Sequence, residues 1–448
     1  MALAGQGRQL LNKFLWSVAS FASFFGFRLL STLILTRLLA PELFGIMVIV
    51  NVMRFGIEVM TDVGIEQNIV RHPQGLSPAF TNTAWTMQIC RGILLTALFL
   101  AIAPLLGSFY SIDTRIFLVI GFAPFLNSLH STAIFSLVKQ LDVKQRTLFE
   151  FRAELIGFVV TLVLALAFRS VWALVAGTLV AITARSALSY RLPGSRHRFM
   201  MDRGVAAEIL QFGRWIMITS IIMFVSGNLD KLALGKVAPL ALLGIYGLAR
   251  TMADIPSQMA RRLTYQLIFP LFSAARTDGD AAIVARLSPL RLRFVLLTAL
   301  AMGVGIGCAD WAIRILFDAR YYEAGWMLSL LLPATFLSIL ANFNEGLLMS
   351  SGKPAYESAA NVARLAILAI GLWYGYMWAG FAGAIAAVIA GELARYVVVA
   401  YGQRRTEQSF LKQDISALAV MLLVAALWIA LRQKLGRGAP WDALTAAL

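Results

Sequence analysis

From Phe14 onward the chain alternates apolar runs of roughly twenty residues with short polar links. A membrane-crossing helix needs about 20 mostly apolar residues. On that criterion helices are predicted over 14–36, 43–65, 82–106, 115–138, 151–169, 171–190, 212–235, 239–260, 291–315, 325–350, 358–377, 380–401 and 413–432, thirteen in all. Most links are short and carry turn residues, such as Ala40-Pro41-Glu42 and Ser351-Gly352-Lys353-Pro354. The first run is long for a secretory leader and more runs follow it, so it reads as an uncleaved first helix. The pattern leaves no stretch for a large soluble domain.

Composition agrees. Of 448 residues, 59% are hydrophobic and 14% charged, against about 25% charged in soluble domains; mean hydropathy is +0.76. The chain is an integral membrane protein. Its formal charge of +16 does not point to nucleic acid, because most basic residues fall between apolar runs, where they set topology and meet anionic lipid headgroups. With the N-terminus in the cytoplasm, the inside links collect Arg71, Lys139, Lys144, Arg146, the arginines of 191–211, the arginines from Arg261 to Arg293, Lys353, Arg404, Arg405 and Lys412. The outside links hold little beyond Arg37, Arg115, Arg169, Lys236 and Arg320. Arg432, Lys434 and Arg437 break the pattern. The link 191–211 falls near mid-chain and suggests a joint. The expected division is a bundle over 1–195, a second over 196–405, and an added helix and tail over 406–448. The segment KQLDVKQRTLFEFR (139–152) mixes cations with apolar residues and is expected along the cytoplasmic interface. Cys90 and Cys308 lie far apart in apolar runs, and no disulfide, metal or cofactor motif is present.

A short internal match supports two halves. Ala40-Pro41 and Gly45-Ile46 correspond to Ala238-Pro239 and Gly244-Ile245, each leading into an even-numbered span. Such turns are common, but the like orientation of both copies fits a parallel repeat. Around the second copy, NLDKLALGKVAPLALLGIYGLA (228–249) resembles the central signature of the polysaccharide transporter family in the MOP flippase superfamily, through Asn228, Asp230, Lys231, Gly235, Gly244 and Tyr246. TRLLAPELFG (36–45), TDVGIEQNIVR (61–71), KQLDVKQRTLFEF (139–151), IFPLFS (268–273) and LLMSSGKPAY (347–356) are similar to further family markers, in order, over about residues 10–405. The resemblance implies an all-α fold of two six-helix bundles around a central cavity. It implies a flippase, not an enzyme and without cofactor, in the bacterial inner membrane. Its substrate would be an undecaprenyl-pyrophosphate-linked oligosaccharide carried from the cytoplasmic to the periplasmic leaflet, by a monomer working beside a polysaccharide polymerase and a chain-length regulator.

Charges inside the apolar runs are the candidate chemistry. Each costs about 2.5–3.5 kcal/mol at the bilayer centre on the insertion scale. Arg54, Glu58 and Asp62 recur every four residues in the second run; Arg28, Arg250 with Asp254, Glu345, Arg364, and Glu392 with Arg395 lie in others. Internal salt bridging would account for several of them. The functional reading is a cationic cavity in which Arg28, Arg54, Arg250 and Arg364 meet the pyrophosphate, with Glu58, Asp62, Asp254 and Glu345 as charge partners; by helix and depth, Arg28, Arg54 and Arg250 are similar to cavity arginines of lipid II flippases in the same superfamily. Arginine suits that role because it stays charged and binds phosphate through two nitrogens.

Three other functions compete for such a chain. A multidrug exporter of the same superfamily would favour unpaired carboxylates over arginines. A membrane glycan polymerase would need a substantial outer loop. An ATP-driven pump would need a phosphate-binding Gly-x-x-x-x-Gly-Lys-Ser/Thr loop, which GLLMSSGKP (346–354) does not supply. The orientation is directly testable: cysteines placed in 191–211 and 261–290 should resist a membrane-impermeant thiol reagent in intact cells, while those in 37–42 and 316–324 react. Labelling of the first pair from outside would reverse the assignment.

Overall fold

The computed structural model describes residues 26–140, 142–264, 280–351, 353, 355–406 and 409–442. All regular structure among them is helical: α1 (26–38), α2 (Pro41–Met60), α3 (Ile65–Arg71), α4 (Pro78–Tyr110), α5 (Thr114–Ile120), α6 (Ala123–Ser128), α7 (Ala133–Lys139), α8 (Val143–Phe168), α9 (Val171–Ser189), α10 (Arg203–Val237), α11 (Leu240–Leu263), α12 (Asp280–Leu316), α13 (Ala324–Ser350), α14 (Ala355–Arg405) and α15 (Leu411–Lys434), with a 3-10 turn at Ala319–Tyr321. Among the described residues nine helices are long and apolar enough to cross a membrane, and the pair Thr114–Ser128 and Ala133–Lys139, bent by 61°, makes a tenth. The polypeptide is a multi-pass membrane protein. α14 contains two of the expected spans, broken at Ala379–Gly380. α11 has the length, but Arg250, Asp254, Arg261 and Arg262 lower its apolarity. Trp16 and the IFPLFS segment lie outside the described residues.

Local chemistry sets many of the boundaries. Proline at the first helical position starts α2 and α4. The Ser77, Asp113 and Asp142 side chains cap α4, α5 and α8 by accepting the backbone N–H of Phe80, Arg115 and Gln145. With the Asp142 cap, KQRTLFEF forms the opening turns of α8, which runs unbroken into the apolar span. The two long basic links are shorter than expected, because α10 begins at Arg203 and α12 at Asp280.

By packing, the chain divides into Met1–Phe224 and Val225–Leu448. In the first unit α4 runs antiparallel to α5 and α6, with Gln88 Nε2 donating to the Ser128 and His130 carbonyls at 2.7 and 3.0 Å. The link after α9 is stapled down. Arg198, Met200 and Asp202 donate backbone N–H groups to Asn82, Thr86 and Thr83 at the start of α4, each at 3.1 Å. His197 Nε2 accepts from the Thr132 N–H at 3.2 Å, and burial pushes its pKa down, which keeps that nitrogen an acceptor.

In the second unit α14 folds back on itself at Gly380 (φ 55°). The two arms meet backbone to backbone at Gly375 and Gly383, where any side chain would collide with the opposing carbonyl. α15 lies parallel to α12, fixed at both ends by buried charge. Near one end Arg291 reaches Asp414 at 2.5 Å and Asn344 at 2.9 Å. Near the other Arg432 bonds both Asp310 oxygens at 2.6 and 2.8 Å and the Gly307 carbonyl, with Trp311 beneath its guanidinium at 4.5 Å. Arg291 and Arg432 are thus buried partners, not loop cations, and the anomaly at Arg432 is resolved by Asp310. With the Arg432 side chain only 2% exposed, Arg432→Met should leave Asp310 buried without its partner and cost about 3–5 kcal/mol, read as a lower melting temperature in detergent. Combining it with Asp310→Leu should restore most of the loss; an unchanged melt in the single variant would contradict this.

Candidate functional site

The charges of the second span converge with Arg91 of α4 and Asn127 of α6. Arg54 Nη1 donates to Glu58 Oε1 at 2.8 Å, one turn along α2, with both side chains largely buried. Asn127 Nδ2 holds the other Glu58 oxygen at 3.3 Å. α2 then ends at Met60, so Asp62 does not continue the charged face another turn as the spacing suggested. It lies in the break before α3, where its Oδ1 accepts the Gly64 N–H at 3.0 Å and Gly64 takes φ 65°. Arg91 of α4 closes the break. It donates to the Glu58 carbonyl and to Thr61 Oγ1 at 3.2 Å, and faces Asp62 at 3.8 Å. These bonds satisfy helix-terminal groups that water would otherwise have to reach.

A cavity of about 380 Å³ opens beside this cluster, lined among others by Glu58, Asp62, Arg91, Asn127, His130 and Arg185. Arg91 and Arg185 are not among the sequence candidates. The signal was present, because Arg91 interrupts the run 82–106 much as Arg54 interrupts 43–65. Arg28 does not join this cluster. It lines a separate cavity of about 280 Å³ with Ser31, Thr32 and Glu154.

In the second unit the signature residues and Arg250 meet. Tyr246 Oη donates to Asp230 Oδ2 at 2.5 Å, and Lys231 Nζ to Asn228 Oδ1 at 3.3 Å. Arg250 Nε lies 3.4 Å from Asp254 and 3.8 Å from Asp230. Gly235 and Gly244 are buried nearby in sequence, on α10 and α11. Arg364 pairs with Glu392 at 3.0 Å. Arg395 takes Glu345 through two nitrogens, at 2.9 and 2.6 Å, and bonds Asn342 at 2.8 Å. The sequence pairing of Glu392 with Arg395 exists but is the weaker contact, at 3.5 Å; Glu345 belongs to Arg395. Among the described residues no group of acidic, histidine or cysteine side chains is arranged to hold a metal.

Arg54, Arg91, Arg250, Arg364 and Arg395 are thus held by carboxylates or by helix ends, whereas Arg28 and Arg185 make no ion pair among the described residues. That arrangement makes a charge-rich membrane interior tolerable. Residues 34–325 match the family described as "Polysaccharide biosynthesis protein". The chain belongs to that family. This family member is 23% identical over 318 residues to the succinoglycan biosynthesis transport protein ExoT of Rhizobium meliloti (strain 1021), covering 70% of this chain and 64% of that one. It is 21% identical over 383 residues to the lipopolysaccharide biosynthesis protein WzxC of Escherichia coli (strain K12), covering 82% and 75%. The chain therefore spans somewhat under two thirds of the ExoT length. Among solved structures it resembles the lipid II flippase MurJ in an inward closed conformation, with a TM-score of 0.67 at 12% identity over 95% of this chain and 100% of that one. An inward-facing MATE family multidrug resistance transporter of the MOP superfamily gives a TM-score of 0.64 at 16% identity, over 84% and 93%. These likenesses show an all-α fold shared with those two proteins. Proteins in these comparisons that are named for an activity are transporters or flippases, in line with a transporter and not an enzyme.

Proposed function

We propose that this chain is a flippase that carries an undecaprenyl-pyrophosphate-linked oligosaccharide from the cytoplasmic to the periplasmic leaflet of the bacterial inner membrane by alternating access. The names of the polysaccharide-transport relatives support the substrate class, and the MurJ-like fold is compatible with it. The observation that carries the reading is the state of Arg250. Its Nε faces Asp230 and Asp254, yet Arg250 donates no hydrogen bond among the described residues, so its terminal nitrogens are available. A guanidinium held at its stem with its fork free is suited to two-nitrogen capture of a phosphate.

In this reading Arg250 acts on the pyrophosphate together with Arg28, Arg54 and Arg364, and the chain comprises bundles over 1–195 and 196–405 with 406–448 as an added helix and tail. Glu58 holds Arg54 between cycles, and Asp254 does the same for Arg250. The N-terminus is cytoplasmic. The protein works as a monomer, with a polymerase and a chain-length regulator as partners and membrane lipid as its surroundings. The multidrug alternative shares the fold, but its cations would meet arginines where they need free carboxylates.

Arg250→Lys tests this with the least damage, since the charge facing Asp230 and Asp254 is kept while the fork is lost. Export of surface polysaccharide should fall by about tenfold or more, with lipid-linked units accumulating in the inner leaflet and protein abundance unchanged. Wild-type export in this variant, or normal export after deletion of the chain in a strain without a redundant transporter, would overturn the proposal.

A further inference from the structure

The 380 Å³ cavity of the first unit is not absorbed by pyrophosphate binding, and its charge explains why. Arg54, Arg91 and Arg185 stand against Glu58, Asp62 and Glu66, three cations to three carboxylates, at or beside its walls. A site for a phosphate dianion needs a cationic surplus, and this one has none. What it offers is directional hydrogen bonding. His130 is nine-tenths buried. Its Nδ1 bonds the Asn127 carbonyl, so Nδ1 carries the proton, and its buried Nε2 is an acceptor with no partner. The Gln88 and Asn127 amide nitrogens are engaged with the Ser128 and His130 carbonyls and with Glu58, while their oxygens accept no bond among the described residues. Arg185 adds a guanidinium that donates to nothing there. The wall therefore carries several unfilled acceptors and one unfilled multiple donor. Phe55 and Phe135 supply apolar faces on the same lining.

Unfilled planar acceptors, an unfilled fork donor, ring faces and a balanced net charge complement a pyranose. Each sugar hydroxyl both donates and accepts, and the ring presents an apolar C–H face. The volume lies near the lower end of the roughly 300–1,000 Å³ usual for small-ligand sites, room for a sugar unit and not for a chain. We infer that this cavity is a saccharide subsite, holding a sugar of the transported glycan through His130, Gln88, Asn127 and Arg185. The inference rests on the flippase reading for the origin of the sugar, but it places recognition on groups that the pyrophosphate does not use.

Saturation-transfer NMR on the purified full chain in detergent tests it, with a panel of neutral and acidic mono- and disaccharides and with inorganic pyrophosphate as separate probes. At least one saccharide should bind the wild type. Arg185→Gln breaks no internal bond, so the fold should survive, and it should weaken that binding by about tenfold or more. His130→Phe, which removes the acceptor, should do the same, with melting temperatures checked for both. Pyrophosphate should not displace the saccharide. The proposal is overturned if no saccharide in the panel binds, if both variants bind as the wild type does, or if pyrophosphate competes. The flippase reading is judged separately, by export in cells. Saccharide binding with normal export after deletion would sink that reading and leave the subsite standing; loss of export in Arg250→Lys with no saccharide binding would do the reverse.

Discussion

A charge placed in an apolar helix must find a partner, and the rest of this structure depends on that constraint. Leaving one member of a buried ion pair alone costs about 3–5 kcal/mol, a large part of the total stability of an ordinary protein. The chain meets the cost with contacts between helices. Asp310 on α12 takes Arg432 of α15, Glu345 on α13 takes Arg395 of α14, and Arg91 on α4 closes the end of α2. The same side chains that make the interior tolerable also fix which helix lies beside which. Backbone proximity does comparable work where charge is absent, as at Gly375 and Gly383.

Within this frame the groups left incompletely satisfied stand out. Arg250 is faced by carboxylates only at its stem. His130 Nε2 is buried without a partner, and Arg185 lines a cavity without an ion pair. A membrane interior this thoroughly paired gives such residues more weight than they would have on a soluble surface, because unfilled hydrogen-bonding capacity away from water is costly unless something fills it. They fall into two chemically distinct sets, one suited to phosphate and one to hydroxyls, as a lipid-linked sugar requires.

Much of the fold was legible in the sequence because apolar length is a strong signal in membranes. Each expected span from the second to the thirteenth corresponds to a helix or a bent pair of helices. What could not be read was where helices break. Asp62 falls beyond the end of α2 because Gly64 adopts a left-handed conformation, and the span 115–138 bends by 61° between α6 and α7. Neither follows from counting apolar residues. The site was legible only in part. The i,i+4 spacing of Arg54 and Glu58 gave their pairing, and the signature gave Asp230 and Tyr246. Pairs between distant helices, such as Arg432 with Asp310, depend on tertiary register, which one sequence does not display. Arg91 and Arg185 show a different limit: each interrupts or closes an apolar run, but nothing local indicates which cavity it lines.

A flippase of this kind moves a saccharide-bearing polyprenyl pyrophosphate across a bilayer. The most direct measurement reconstitutes the purified chain into liposomes holding a fluorescent short-chain polyprenyl-pyrophosphate disaccharide in both leaflets, and adds a membrane-impermeant quencher outside. The protected inner-leaflet fraction should fall when the protein is present and stay near half in protein-free vesicles. A protected fraction unchanged by the protein, in vesicles where the same preparation moves a lipophilic cationic dye, would contradict it and point to the multidrug alternative.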